Sequence, residues 1–245
     1  MITNFRKINS TMRKLILVSA IITFCLNGFS QFGSFGVYAT YSNNSFTEVK
    51  DFFSEFKYDL PLSGKTIDNF PPVVGAKLVY NNKFQAINFN LSIGYNSTGG
   101  RVSYADYSGK INVDMIANVF PAGIQINIPM YNTDKFGLFL SPGLYAAYVR
   151  FKVKSEFQLY DQIENDKIIL QSRTVGGGIG FTFEKRIKFL AIRAEIGADY
   201  FFPTKITSPE NGGAFITDNS GKKVLCQIGG LRSGIGILYN FDYRK

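Results

Sequence analysis

The chain has 245 residues, 16% of them aromatic and only 18% charged, with 24 glycines and neither tryptophan nor histidine. A charged fraction below the roughly 25% of ordinary soluble domains marks a greasy, β-prone chain, long enough for one large all-β domain. The formal charge of +9 does not point to nucleic acid, because Arg6, Lys7, Arg13 and Lys14 precede the first strand and the remaining +5 is spread thinly, with no basic stripe along the sequence.

Residues 1–30 read as a secretory signal peptide, followed by a single domain over 31–245. Arg13 and Lys14 form the basic head, Leu15 to Leu26 the apolar middle, and Gly28-Phe29-Ser30 the small-residue junction before Gln31. The apolar run is shorter than the about 20 residues a spanning helix takes, so export is expected, not a permanent anchor. Met12 is an alternative start. Cys25 follows Thr23-Phe24, a bulky neighbour where lipid attachment favours a small one, so it is not read as a lipoprotein cysteine. Cys226 is then the lone thiol after cleavage, a small apolar residue within a strand that excludes an intrachain disulfide.

Eight segments alternate with a period of two, the signature of strands. In chain order they are 33–42, 73–82, 84–96, 111–128, 136–149, 174–184, 189–202 and the C-terminal SGIGILYNFDY. The clearest is 84–96, where Ile87, Phe89, Leu91, Ile93 and Tyr95 alternate with Asn88, Asn90, Ser92, Gly94 and Asn96. Least regular is 111–128: its apolar phase slips near Met115, and Pro121-Ala122-Gly123 lies inside it, which predicts a bulge or an edge-like irregularity.

Connection lengths alternate without exception. Residues 43–72, 97–110, 150–173 and 203–223 are long, whereas Asn81-Asn82-Lys83, Pro129 to Lys135 and Lys185 to Lys188 are short. That asymmetry fits an outer-membrane barrel, with short periplasmic turns and longer outer loops, and an even strand number returns both termini to the short-turn side. The expected fold is an all-β, eight-stranded antiparallel transmembrane β-barrel, an up-and-down meander. The last strand runs to within a few residues of Lys245, so no C-terminal peptidoglycan-binding domain is expected.

The opposite phases then sort themselves. A closed barrel satisfies every backbone N–H and C=O in hydrocarbon, and lipid takes the Leu/Ile/Phe/Tyr phase. An arginine facing lipid at mid-depth would cost roughly 2 to 4 kcal/mol, so the charged phase faces inward. Lys77, Asp114, Arg193, Glu195, Asp199 and Arg232 are therefore expected to compensate one another in a plugged lumen, since eight strands leave an interior that side chains fill. Tyr41, Tyr80, Tyr95, Tyr148, Tyr200, Tyr239 and Tyr243 lie near strand ends, placed for aromatic girdles at headgroup level.

The signal peptide, the Ser30-Gln31 junction, the eight glycine- and aromatic-rich strands and the stretch NVFPAGIQINI to KFGLFLSPGLYAAYV together resemble the small outer-membrane β-barrel proteins of Bacteroidota, the PorT-like group of the porin family. The OmpA-type transmembrane domain is a more distant likeness. In the PorT-like group a proline in the fourth strand, here Pro121, and a glycine-containing fifth strand, here Ser141-Pro142-Gly143, recur. The resemblance covers nearly all of 31–245 and implies fold and outer-membrane location. One branch of the group is linked to protein secretion.

Chemistry is read mainly from what is missing. Without histidine there is no Ser-His-Asp triad and no usual zinc set, and no enzymatic role, cofactor or metal is expected. Glu195 and Asp199 are four apart on one strand face, roughly 13 Å at strand rise, too far for paired-carboxylate hydrolysis. Gly176 to Gly180 lacks the Lys-Ser/Thr of a phosphate loop and sits in a strand, where glycine makes room for lumen rings such as Tyr145. Glu48, Asp51, Glu55, Asp59 and Asp68 in the first long connection are read as solvated charge ahead of a calcium site. The reading is a non-enzymatic envelope barrel whose partners are outer-membrane lipid and other envelope proteins met through 43–72, 150–173 and 203–223. Two alternatives stay open, a soluble lipocalin-like barrel binding a small hydrophobic ligand and a narrow channel.

Overall fold

The computed structural model describes residues 33–44, 46–59, 65–84, 87–105, 107, 109–160, 162–210 and 214–241. The signal-peptide segment, Cys25 and Tyr243 lie outside the described residues. The elements are β1 (Gly33–Asn44), α1 (Thr47–Asp59), β2 (Lys65–Asn69), β3 (Val73–Phe84), β4 (Ile87–Ala105), β5 (Gly109–Asn132), β6 (Phe136–Leu140), β7 (Gly143–Leu159), β8 (Gln162–Ile187), β9 (Leu190–Phe201), β10 (Thr204–Lys205), β11 (Leu225–Cys226) and β12 (Gly229–Phe241).

Antiparallel pairing runs β1–β3–β4–β5–β7–β8–β9–β12 and returns from β12 to β1, closing a ring of eight strands. The short β6 is the lower end of the β7 ring strand, interrupted at Ser141-Pro142. Pro142 has no N–H to give the ladder. The break is bridged by Ser141 N–H donating to the Gly180 carbonyl at 2.7 Å and Ile126 N–H donating to the Pro142 carbonyl at 2.9 Å. Entry into β12 passes through Gly229 and Gly230 at φ 137° and 142°, a region L side chains avoid.

Val37, Leu78, Ile93, Ile124, Leu144, Ile179, Ile196 and Ile235, one from each ring strand, point outward and are 41–75% exposed. The alternate phase points in. Aromatic rings bound this apolar band at two levels. Tyr95, Phe120 and Tyr148 stack across β4, β5 and β7 with centroids 5.3 and 6.0 Å apart, near Tyr200 and Phe202 at the same end of the strands. Phe189, Tyr239 and Phe241 contact one another at the short-turn end, 5.7 and 5.0 Å apart. From Phe189 to Tyr200 the strand covers a height of roughly 25 to 30 Å once tilt is allowed for, close to a barrel's apolar band.

The four longest strands go further. The 24 residues of β5 and the 26 of β8 far exceed the about 10 a crossing needs. In their upper parts the polarity of the faces reverses: Val113, Met115, Ala117 and Val119 of β5 and Val149 and Phe151 of β7 are buried inside, while Asn112, Asp114, Arg150 and Lys154 point out. This corrects the sequence reading at three places. Residues 97–110 and 150–173 are not long loops; β4 meets β5 across 106–108, and β7 meets β8 across 160–161. The phase slip at Met115 is no bulge but the level at which the outer face turns from apolar to polar and the inner face from polar to apolar. Nor does Pro121 create one: the β5–β7 register is continuous from 109 to 125, and on the β4 side the pairing skips from Ile93–Ala122 to Asn96–Val119 in unchanged register. The register shift in β5 falls instead between Pro129 and Tyr131.

Above the band, α1 and the segments around β2, β10 and β11 fold over the barrel mouth. Phe46, just before α1, and Val49 and Phe53 on its inner face enter a core with Phe70, Phe151, Phe201, Ile206, Val224, Cys226 and Ile228. Phe53 meets Phe70 edge-on at 5.8 Å, and Phe46 meets Phe151 edge-on at 6.2 Å. The described parts of the connections 43–72 and 203–223 thus form an apolar lid.

Candidate functional site

The interior is built in tiers. Nearest the short turns, Arg193 of β9 is 2% exposed and donates through Nε (2.9 Å) and Nη2 to Oε2 of Glu184, its ladder partner on β8, and through Nη1 to Asn90 Oδ1 at 3.3 Å. Oε1 of the same Glu184 accepts from Arg186 Nε at 2.6 Å. Around them Asn90, Asn127, Ser141 and Thr182 join by hydrogen bonds, and Tyr38, Val79, Ala191 and Leu238 fill the remaining space.

One tier higher, Lys77 Nζ lies 2.6 Å from Glu195 Oε2 and 4.8 Å from the centroid of the Tyr38 ring. Arg232 joins three groups: Nε donates to Asp199 at 2.8 Å, Nη1 to Glu195 at 3.3 Å and Nη2 to the Tyr145 hydroxyl at 2.9 Å. Glu195 and Asp199, remote by strand rise, are thus held by one guanidinium whose planar fork suits two acceptors. Space for the large groups comes from glycine. A Cβ on Gly178 would stand 1.9 Å from Asp199 Oδ1, and one on Gly123 would stand 2.3 Å from Tyr145 Cδ1. Tyr145 therefore rests on Gly123 and Gly143, while Gly176 and Gly178 of the triple-glycine run make way for Phe201 and Asp199. A cavity of about 90 Å³ touches Lys77, Tyr145, Glu195, Asp199 and Arg232, room for a few ordered waters.

The lid is fastened by acidic residues of α1. Glu48 accepts from Leu225 N–H at 2.8 Å and lies 3.6 Å from Lys222, and Glu55 accepts from Asn219 N–H at 3.3 Å. Beside them Asp218 Oδ1 accepts from the Ser220 hydroxyl (2.7 Å) and from the Ser220 and Lys222 N–H groups (3.0 and 2.8 Å); the Ser220 contacts first, then Lys222, hold its carboxyl below the usual carboxylate range. Burial pushes the Cys226 thiol up to about 12. Among the described residues no group of three or more His, Cys, Asp or Glu side chains is placed to hold a metal ion. The side chains of Asp59 and Asp68 are outside the described set.

Five of the six residues singled out from sequence, Lys77, Arg193, Glu195, Asp199 and Arg232, lie inside the barrel, four of them in one network. Asp114 is a correction. It sits on the outer face of β5 in the strand extension, held by Arg101 Nε and Nη2 at 2.5 and 2.9 Å. At that height the inner face is apolar and the outer face polar, so a carboxylate belongs outside. Tyr145, expected as a lumen ring, is found there on Arg232, whereas Glu184 was missed, although it occupies the same strand phase as Gly176, Gly178 and Gly180.

No protein-family model matches the chain, and no curated protein matches it. Solved structures with a similar arrangement include a major outer membrane protein of Thermus thermophilus (12% identity, 85% of this chain, 99% of that one, TM-score 0.45). They include also the attachment invasion locus protein Ail of Yersinia pestis (14%, 86% and 99%, TM-score 0.34) and the outer membrane protease OmpT of Escherichia coli (10%, 86% and 95%, TM-score 0.33). Likenesses this loose do not bear on what the chain does; the closed ring rests on its own register.

Proposed function

We propose that the chain is an integral outer-membrane barrel without enzymatic activity, a structural or accessory component of the cell envelope, of which a secretion-associated role like that of the PorT-like branch is one form. The observation that carries this reading is the apolar band, with an exposed aliphatic side chain on every ring strand between two aromatic levels. Soluble monomers rarely expose contiguous apolar patches above a few hundred Å². A lipocalin-like barrel would need the reverse, an apolar lumen, whereas here the lumen at band height holds Lys77, Arg193, Glu195 and Arg232. The short connections support a periplasmic lower rim and an outward lid.

Stacked tiers of paired charge under an apolar lid support a closed lumen over a narrow channel. Lipid and other envelope proteins are the partners this surface suits, the latter meeting the lid and the β7–β8 hairpin that replaces the expected 150–173 loop. The test is fractionation with a carbonate wash, together with heat-modifiable gel migration and planar-bilayer recording. Retention in the membrane pellet, a folded form that migrates differently and no steady conductance are expected. Recovery as a freely soluble protein without detergent overturns the membrane reading, and a steady open conductance overturns the closed lumen.

A further inference from the structure

The outer wall across β5, β7 and β8 combines two features. The first is a cleft of about 450 Å³ in the apolar band, with Ala122 and Ala146 as floor, Phe120, Tyr148, Val175 and Phe202 as walls, and Arg173 among its lining. It continues downward into a larger depression of about 1030 Å³ that shares Ala122, Ala146, Val175 and Phe202.

The second feature is a ladder of cations above the cleft, invisible as a stripe in the sequence because two strands build it. Arg173 pairs with Tyr148 in the upper aromatic row. Arg150, Lys152 and Lys154 follow at alternate outward positions of β7, and Lys167 of β8 stands directly opposite Lys154. Each outward step raises the side chain by about 5 Å, so the ladder climbs roughly 15 Å from the aromatic row. Among the described residues none of these five makes an ion pair: Asp114, directly opposite Lys154 on β5, is held by Arg101, Glu156 lies against Lys110, and Asp166 accepts from the Lys167 backbone. Like charges opposite each other weaken a ladder. Lys154 first, with Lys167 and Arg150, lowers the pKa of the Lys152 ammonium. A sheet that stacks these cations while the carboxylates beside them engage other partners, over an apolar cleft at the membrane boundary, suits a ligand that is oily below and anionic above.

We propose that this wall is a binding site for a phosphorylated lipid of the outer leaflet, with an acyl chain in the cleft over Ala122 and Ala146 and phosphates on Arg173, Arg150 and the lysines above. The inference rests on the membrane reading. Arginine gives a phosphate a bidentate partner at the lower rungs, and lysine adds point charge higher up, where phosphorylated sugars of a glycolipid would extend. In a bilayer the neighbouring tails are as apolar as the wall, so the cleft contributes registry and the cations most of the preference.

The test uses the full chain in phosphatidylcholine nanodiscs doped with diphosphoryl lipid A or with its dephosphorylated form, lipid retention being counted by native mass spectrometry. Selective retention of the phosphorylated form is expected. The triple variant Arg150→Gln/Lys152→Gln/Arg173→Gln should lower that preference by about fivefold per charge, roughly a hundredfold together. Ala146→Leu, which fills the floor of the cleft, should lower it about two- to fivefold through lost packing. Equal retention of both lipids, or undiminished preference in the triple variant, overturns the proposal. If Ala146→Leu has no effect and a soluble sulphated oligosaccharide displaces the lipid completely, the occupant is a soluble polyanion and the lipid site is refuted. Failure of the unaltered chain to enter nanodiscs as a heat-modifiable barrel would sink the membrane reading itself, a result separate from the lipid count.

Discussion

Replacing Arg193 with methionine tests the buried charge pairing directly. Arg193 is 2% exposed and Glu184 8%, and the two are joined by both Nε and Nη2. Removing one partner of such a pair costs about 3 to 5 kcal/mol, because the other charge stays buried without compensation. Here Glu184 keeps Arg186 at 2.6 Å, which puts the loss at the lower end, about 3 kcal/mol. Asn90 loses one donor as well, adding about 1 kcal/mol. Arg193→Met is therefore expected to destabilise by about 3 to 4 kcal/mol. The further change Glu184→Gln removes the stranded charge, so the double variant should recover about 2 kcal/mol of that loss. With no tryptophan to report unfolding, the assay is urea titration in phospholipid vesicles followed by circular dichroism and heat-modifiable migration. A loss below about 1 kcal/mol for Arg193→Met, or a double variant additive within about 0.5 kcal/mol, would refute the pairing.

Glycine substitutions should divide by face. Gly123→Ala drives a Cβ to 2.3 Å from Tyr145 and should cost about 1 to 3 kcal/mol in the same titration. Gly177→Ala, whose Cβ makes only ordinary contacts at 3.4 Å or more, should stay within about 0.5 kcal/mol of the parent. In the lid, Phe53→Ala removes a fully buried ring worth about 3 to 5 kcal/mol. Proteolysis is expected to open α1 and the 203–228 segment while the barrel keeps its heat-modifiable migration; loss of both together would show that lid and barrel are one cooperative unit. For Cys226, pushed up to about 12 by burial, maleimide should react slowly with the folded chain and rapidly in urea. Since burial favours the neutral thiol, its contribution to stability is complete below the unfolded pKa near 9 and is lost as pH rises towards 12. Fast labelling of the folded chain would place the thiol at the surface.

Where lipid is the outside solvent, the two phases of a strand must differ in kind, and so residues such as Ile192, Arg193, Glu195 and Ile196 declare their faces without any knowledge of the fold. Strand period, the ring of eight and the inward set on β9 were legible for that reason. The same template failed where water replaces lipid. In the extensions of β4, β5, β7 and β8 apolar residues turn inward, so 97–110 and 150–173 looked like loops and Asp114 looked internal. The helical spacing of Val49 and Phe53 was there to be found, but a surface loop and a lid differ only in what lies beneath them. Pairing itself belongs to tertiary structure. That Arg232 unites Asp199, Glu195 and Tyr145 follows from register between strands far apart in the chain, and that Lys154 faces Lys167 follows from the register of the β7–β8 hairpin; side-chain alternation within one strand encodes neither.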